Sequence, residues 1–578
     1  MESYCFNDVL SVPLIINQIF QFLDKDEAKC LSLSNKKIYQ IFCKQVKNLK
    51  ITSLYNKKIY QNCCNRISNL KINEEAEIPN LQLLIDKFKN IINLDLSYCK
   101  NIKDFTPITN IEALECLDFS YTNISDISFL VKNKNIKKLN LKGCDKIKDF
   151  NPITNIEALE NLDISYTNTS DISFLVKNKI IKELNLKSCD KIKNFNPISA
   201  LESLENLDFS KTNIYDISFL VKNKNIKELN LKNCKYIKDF NPISVLEALE
   251  SLDISYTNIS DISFLVKNKI IKKLNLEGCE NMKDFTPIAK LEQLESLDVT
   301  SANISDISFL EKNKNIKELI FNRCKNIKDF TPISNLERLE NLNISYTNIS
   351  DISFLKKNKN IKELNLEGCE IIKDFTPISK LGSLDKLNVR ETNISDISFL
   401  VKNKNIKKLN LHYCINIKDF NPISAIEALE SLDISDTNIS DISFLVKNKK
   451  IKALYLYQCK NIKDFTPISK LETLENLDIS YTNISDISFL VKNKIIKELN
   501  LECCVNIKDF THISKLERME YLDIRYTNIS DASFLEKNKN IKELNLQGCN
   551  NINKNDNLFK KKNIIIFYNL HFYPIEKK

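Results

Sequence analysis

The eleven residues Ser-Tyr-Thr-Asn-Ile-Ser-Asp-Ile-Ser-Phe-Leu begin, without a change, at Ser120, Ser255, Ser345 and Ser480. The separations of 135, 90 and 135 residues are all multiples of 45. A fixed period of this kind constrains a fold more than any composition does, because each copy must make the same contacts with its neighbours. The leucine upstream of each copy recurs at Leu117, Leu162, Leu207, Leu252, Leu297, Leu342, Leu387, Leu432, Leu477 and Leu522 with no insertion or deletion. Such spacing predicts a stacked array.

The 45-residue block divides again. Asn90–Leu114 and Ala113–Ile136 fit one template: apolar-x-x-Leu-x-apolar, a small polar residue, then Ile-x-Asp-apolar and a further apolar pair. Thr122 is followed by x-Ile124 and Cys99 by x-x-Ile102, so units of 22 and 23 residues alternate. This is the leucine-rich-repeat signature, with Cys in the Asn/Cys slot of one half and Thr in that of the other. Residues 91–553 hold 21 such units, eleven of Cys type and ten of Thr type. The expected fold class is an α/β solenoid, one leucine-rich-repeat arc with a parallel concave sheet. In Leu117-Asp118-Phe119 alternation sends the apolar pair inward and Asp118 outward, so each Leu-x-apolar triplet reads as a short strand. Asp104 and Asp126 are placed to cap the return turn. The prolines at 107, 152, 197, 242, 287, 332, 377, 422 and 467 fall on the convex return, where no ladder bond is lost. His512 takes the tenth slot and reads as a tolerated convex residue.

Eleven of the eighteen cysteines occupy the repeat slot. Neighbours in that column stand two strands apart, about 9.6 Å, beyond the Cα separation of about 7 Å that a disulfide spans. They read as buried thiols of a reducing, intracellular compartment, cytoplasm or nucleus. The other cysteines show no metal-ligand spacing; metals and cofactors are not expected. No apolar run of membrane length and no leader pattern is visible, so neither a membrane span nor a secretory signal is expected. A net charge of +9 over 578 residues is mild, and the aromatic interleaving that nucleic-acid binding needs is not visible along the chain. Three histidines, no phosphate-binding glycine loop and no nucleophile set against a base argue against an enzyme.

Residues 8–47 break the template. Ser11 can cap a helix beginning near Pro13, and Leu14, Ile15, Ile16, Ile19, Phe20, Phe22 and Leu23 cover more than one of its faces. A second helix follows Asp24-Lys25-Asp26, and a third carries Ile38, Tyr39 and Phe42 at helical spacing. The stretch resembles an F-box: Val12, Pro13, Ile16, Ile19, Phe20 and Leu23 match its first helix, with Val12 for Leu and Ile38-Tyr39 where a Trp is usual. An F-box ahead of repeats resembles the F-box/leucine-rich-repeat family, including members encoded by giant DNA viruses of amoebae, whose Asn, Ile and Lys usage this chain shares. The resemblance implies a substrate-recognition subunit of a Skp-cullin-F-box ubiquitin ligase, in the host cell if viral. Pro13, Leu14, Ile16, Ile19, Phe20 and Leu23 would then bind the Skp-type adaptor, and the repeat surface an unknown protein target. The alternative is a non-catalytic scaffold with no ubiquitin link, its helices only capping the solenoid. Residues 48–90 read as irregular capping repeats and 554–578 as a C-terminal cap.

The outward position after the strand leucine is Asp in most Thr-type units and Asn in most Cys-type units. This ladder is either a track for a basic peptide or a surface solution copied with the repeat. Address information lies where copies differ. Arg390 and Glu391 replace Ser-Tyr, His412 and Tyr413 replace Lys-Gly, Asp436 replaces Tyr, and Tyr455 and Tyr457 follow. These seven are expected to share an outward patch roughly 20 Å long at the strand spacing, either a target-binding surface or neutral drift, as at Ile320 and Arg323.

Overall fold

A computed structural model describes residues 48–51, 67–72, 81–86, 88, 90–552 and 565–567. The adaptor-binding candidates Pro13, Leu14, Ile16, Ile19, Phe20 and Leu23 lie outside the described residues. The chain divides into two compact units, Met1–Ile271 and Lys272–Lys578.

Among the described residues the first unit holds ten strands, from Asn48–Ile51 to Ser251–Asp253. The second holds fourteen, from Lys273–Asn275 to Ile565–Phe567. Within each unit consecutive strands pair in parallel with leucine against leucine: Leu117 faces Leu139 and Leu139 faces Leu162, as Leu387 faces Leu409 and Leu409 faces Leu432. Unvarying unit length holds this register, because a slip of one residue would turn every leucine to solvent. Described strands before the regular repeats join the same ladder, Asn48–Ile51 on Asn69–Ile72 and that on Asn93–Asp95. At the other end Ile565–Phe567 pairs with Glu543–Asn545.

Each repeat strand is one residue out of step with the expected triplet. It runs Cys116–Asp118 and not Leu117–Phe119, centred on the leucine and ending on the outward residue. Phe119 still enters the core with no exposed surface, and its amide continues the ladder to the Asn140 carbonyl at 2.8 Å. The chain then turns through a left-handed residue, Tyr121 at φ 57° in a Thr-type unit and Gly143 at φ 68° in the next. The return is a 3-10 helix and not an α-helix, as in Thr106–Asn110 and Ser128–Lys132. Five residues cannot repay α-helix nucleation, whereas a 3-10 turn closes on i+3 bonds. Asp104 and Asp126 tie it from outside, accepting from the amides of Thr106 at 2.9 Å and Ser128 at 2.8 Å. Pro107 opens its helix where an amide would have no partner.

One unit's apolar residues cannot close over themselves, and stacking makes their burial continuous. Leu130, Ile136, Leu141 and Ile153 have no exposed surface. The slot cysteines are buried and free, as expected. Cys144 Sγ donates to the Phe119 carbonyl at 3.1 Å and lies 3.6 Å from the Thr122 hydroxyl. The alternation of Thr and Cys slots is therefore a contact between consecutive units.

Candidate functional site

Three outward columns run across the strands. The first is the strand's last residue, the second lies two residues on, and the third is the left-handed turn residue beside it. Their chemistry comes from what each unit places against the next.

In the first unit the Asp/Asn ladder satisfies itself. Asp118 Oδ1 accepts the Ser120 amide at 2.7 Å, and Oδ2 accepts Asn140 Nδ2 from the next strand at 3.0 Å. Asn140 Oδ1 takes the Lys142 amide at 3.0 Å. The pattern repeats at Asp163 and Asn185, where the cross-strand bond is 3.1 Å. Of the two readings of this ladder, the hydrogen bonding favours the copied surface solution, since each Asp has a structural acceptor role. The face still forms a trough of about 930 Å³ along strands from Asn69 to Asp253. On the turn edge beside it Lys142 lies 5.6 Å from the ring centres of both Tyr121 and Tyr166, and Lys187 lies 5.9 Å from Tyr166. Aromatic and basic side chains thus do interleave, contrary to the reading along the chain. Spacings of 22 and 23 residues hid neighbours that stacking brings about 4.8 Å apart. The adjacent Asp column makes this edge a poor polyanion track.

The seven sequence-chosen residues all lie in the second unit, but only Tyr455 belongs to a strand, Ala453–Tyr455. The other six stand in the turns after the strands. Backbone bonds join their turns: Glu391 N to His412 O at 3.0 Å, Tyr413 N to Ser435 O at 2.9 Å, and Asp436 N to Tyr457 O at 2.8 Å.

Their side chains form three groups. Arg390 binds Glu391 Oε1 through Nε at 3.0 Å and Nη2 at 2.8 Å, and its Nε lies 3.6 Å from Glu367. Tyr346 donates to Glu367 at 2.9 Å, and burial together with that bond pushes its hydroxyl up to about 12. His412 lies between two carboxylates, Nε2 3.4 Å from Asp436 and Nδ1 3.9 Å from Asp433. Burial raises the Asp436 carboxyl above its ordinary range, opposed by His412. Tyr457 meets Tyr481 edge-on at 5.2 Å and accepts from Gln458 Nε2 at 2.8 Å. Tyr413 is about half exposed. Tyr455 is half-buried, with its hydroxyl raised by burial and then by Glu498 and Asp433.

One structural position of the repeat escaped the sequence reading. In the segments taken as basic connectors, Asn403 and Asn448 are buried. Asn403 Nδ2 donates to the carbonyls of Ile378 and Leu381, each at 3.1 Å. Its signal was present, an Asn at the same place of every Thr-type unit among lysines that drew the attention.

Among the described residues no group of His, Cys, Asp and Glu could hold a metal ion, and no helix is long and apolar enough to cross a membrane. Three repeat families match the chain: Leucine Rich repeats over 112–155 and 337–380, BspA type Leucine rich repeat region over 164–283, and Zer-1-like, Leucine-rich repeats over 423–552. It is a leucine-rich-repeat protein. No curated protein sequence matches it. Among solved structures the repeat protein is similar to that of the TLR13–ssRNA13 complex, at 17% identity and a TM-score of 0.52 over 84% of this chain and 89% of the other. An internalin from Listeria monocytogenes is 22% identical over 66% of this chain and 83% of its own, with a TM-score of 0.30. A plant peptide hormone receptor, RGFR1 in complex with RGF2, is 15% identical over 92% and 88%, with a TM-score of 0.46.

Proposed function

We propose that this leucine-rich-repeat protein is a non-catalytic protein-interaction receptor whose target surface lies in the second unit. The observation that carries the reading is the local loss of repeat identity at Arg390, Glu391, His412, Tyr413, Asp436, Tyr455 and Tyr457. Successive turns there exchange copied Ser, Tyr, Lys and Gly for Arg, His, Tyr and carboxylates. Such mixtures of aromatic and arginine side chains are typical of binding hot spots.

Its finer role in this proposal is the substrate-recognition subunit of a Skp-cullin-F-box ubiquitin ligase. Support comes from the F-box-like pattern of residues 8–47, with Pro13, Leu14, Ile16, Ile19, Phe20 and Leu23 as the adaptor-binding set. The matched families begin at residue 112 and cover repeats alone, which favours keeping a second reading, a scaffold with no ubiquitin link. Capture of a purified Skp-type adaptor separates the two. The receptor reading expects binding by the native chain and none by Ile19→Asp/Phe20→Asp with the repeats still folded; no binding by the native chain leaves the scaffold. Tyr455→Ala/Tyr457→Ala should weaken target capture at least tenfold, about 1.4 kcal/mol, without changing adaptor binding.

A further inference from the structure

In eight of the ten Thr-type units the first outward column carries Asp; the two exceptions, Asn343 and Asn388, are consecutive. Together with Ile320, Asn365 and Asn410 they make five successive strands of the second unit with no carboxylate in that column. The consequence is a change in hydrogen bonding. At Asn140, Asn185, Asn230 and Asn500, where the alternation is intact, the Asn amide donates to the carboxylate of the preceding strand, as Asn500 Nδ2 does to Asp478 at 3.0 Å. In the exceptional run the carbonyl oxygens keep the bond made elsewhere, to the amide two residues on. Asn343 Oδ1 takes the Ser345 amide, Asn365 Oδ1 that of Glu367, Asn388 Oδ1 that of Arg390 and Asn410 Oδ1 that of His412. Asn388 Nδ2 reaches Glu367 at 3.1 Å. The Nδ2 groups of Asn343, Asn365 and Asn410 donate to no described residue; for Asn365 and Asn410 the preceding strand offers an Asn in place of the Asp that accepts elsewhere.

A second observation coincides with this run. A trough of about 510 Å³ is lined by the strands from Glu318–Ile320 to Ala453–Tyr455. Ile320 and Tyr455, the departures from Asn in its outward column, stand at its two ends. Six strand steps separate them, about 29 Å, which an extended chain covers in roughly nine residues. The lining charges nearly balance, with Glu318, Glu363 and Asp433 against Lys386 and Lys408.

We propose that this trough binds an extended, largely uncharged peptide segment of a partner protein, whose backbone carbonyls accept from the Asn343, Asn365 and Asn410 amides and whose two apolar side chains seat on Ile320 and Tyr455. This deepens the reading of the second unit as the target surface and rests on it. A nucleic acid fits less well, since a phosphodiester chain of that length would pass three carboxylates and meet two lysines.

The test uses the full chain and a displayed library of random twelve-residue peptides as probe, with affinities of the selected peptides measured by fluorescence anisotropy. Selected peptides should carry two apolar residues seven to nine positions apart with few charges between. Asn343→Asp/Asn388→Asp, which only restores the residue found in the other eight Thr-type units, should weaken them at least tenfold, as should Ile320→Asn/Tyr455→Asn. Circular dichroism checks that both variants fold. No enrichment, selected peptides indifferent to both variants, or preferential binding of a twelve-nucleotide oligouridylate would overturn the proposal. A cellular target whose capture needs Arg390 and Tyr457 but tolerates the aspartate reversions would overturn it while leaving the receptor reading intact.

Discussion

Gly143→Ala tests how the turn edge is built. Gly143 has φ +68°, and a Cβ there would lie 2.6 Å from Cδ1 and 2.7 Å from Cε1 of Tyr121, whose ring covers the turn. Two costs follow. An L-residue in the left-handed region costs about 1–2 kcal/mol. The Tyr121 ring must also move, and it stacks on Tyr98 at 4.9 Å and meets Lys142 at 5.6 Å. Aromatic pairs contribute about 0.5–1.5 kcal/mol beyond burial, so the substitution should cost about 1.5–3.5 kcal/mol. The next Cys-type turn limits the upper end, because Ser188 at φ 58° already carries a Cβ in the turn after Tyr166. In a Tyr121→Ala background only the backbone cost remains, since Lys211 and Asp436 show that the position folds without an aromatic ring. Hydrogen exchange of the amides in residues 116–166 supplies a local free energy, and urea unfolding followed by tyrosine fluorescence is feasible because the chain has no Trp. Equal costs of Gly143→Ala in the two backgrounds would refute the argument, by showing that the ring and the turn are not coupled.

Other expectations are narrower. Burial pushes the thiols of Cys414, Cys459 and Cys504 up to about 11, so iodoacetamide at pH 8 should spare them in the native chain and, among the described cysteines, modify half-buried Cys116 and Cys503 first, as mass spectrometry of the digested protein would report. Bonds from Thr376 hold the Asp374 carboxyl below its ordinary range. The stabilisation this gives is therefore present above the unfolded value of about 3.9 and lost as pH falls through the folded one, which a carbon-13 carboxyl titration would locate. Asp163→Asn should leave Asn185 Nδ2 without its 3.1 Å acceptor and cost about 0.5–1.5 kcal/mol by local hydrogen exchange; no change would mean that the ladder bonds contribute nothing net.

The fold was legible because repetition makes every residue's environment recur. Leu117 could be assigned inward from its neighbours alone, and Leu139 and Leu162 then followed by register. The return segment was legible in its caps, since Asp104 and Asp126 act through bonds two residues away. It was less legible in its helix type, where 3-10 and α-helix need the same start signals and differ by one residue in their hydrogen bonds. Relations between units were harder to read. The Thr122–Cys144 contact, the Lys142–Tyr166 approach and the double bond of Asn403 to its neighbour's carbonyls join residues 22 to 25 apart, a separation at which no local pattern operates.

The same physics explains why the candidate surface was only partly foreseen. Departures from consensus drew attention to Arg390 and Tyr457 because their side chains are conspicuous. Asn343 and Asn388 were passed over because Asn for Asp keeps size and shape. The exchange replaces an oxygen that accepts with a nitrogen that donates, and a neighbouring Asn on the next strand loses its acceptor as a result. In a repeat protein the effect of a substitution thus falls partly on the unit after it, so a binding surface must be sought where the bonds between copies change as well as where the letters do.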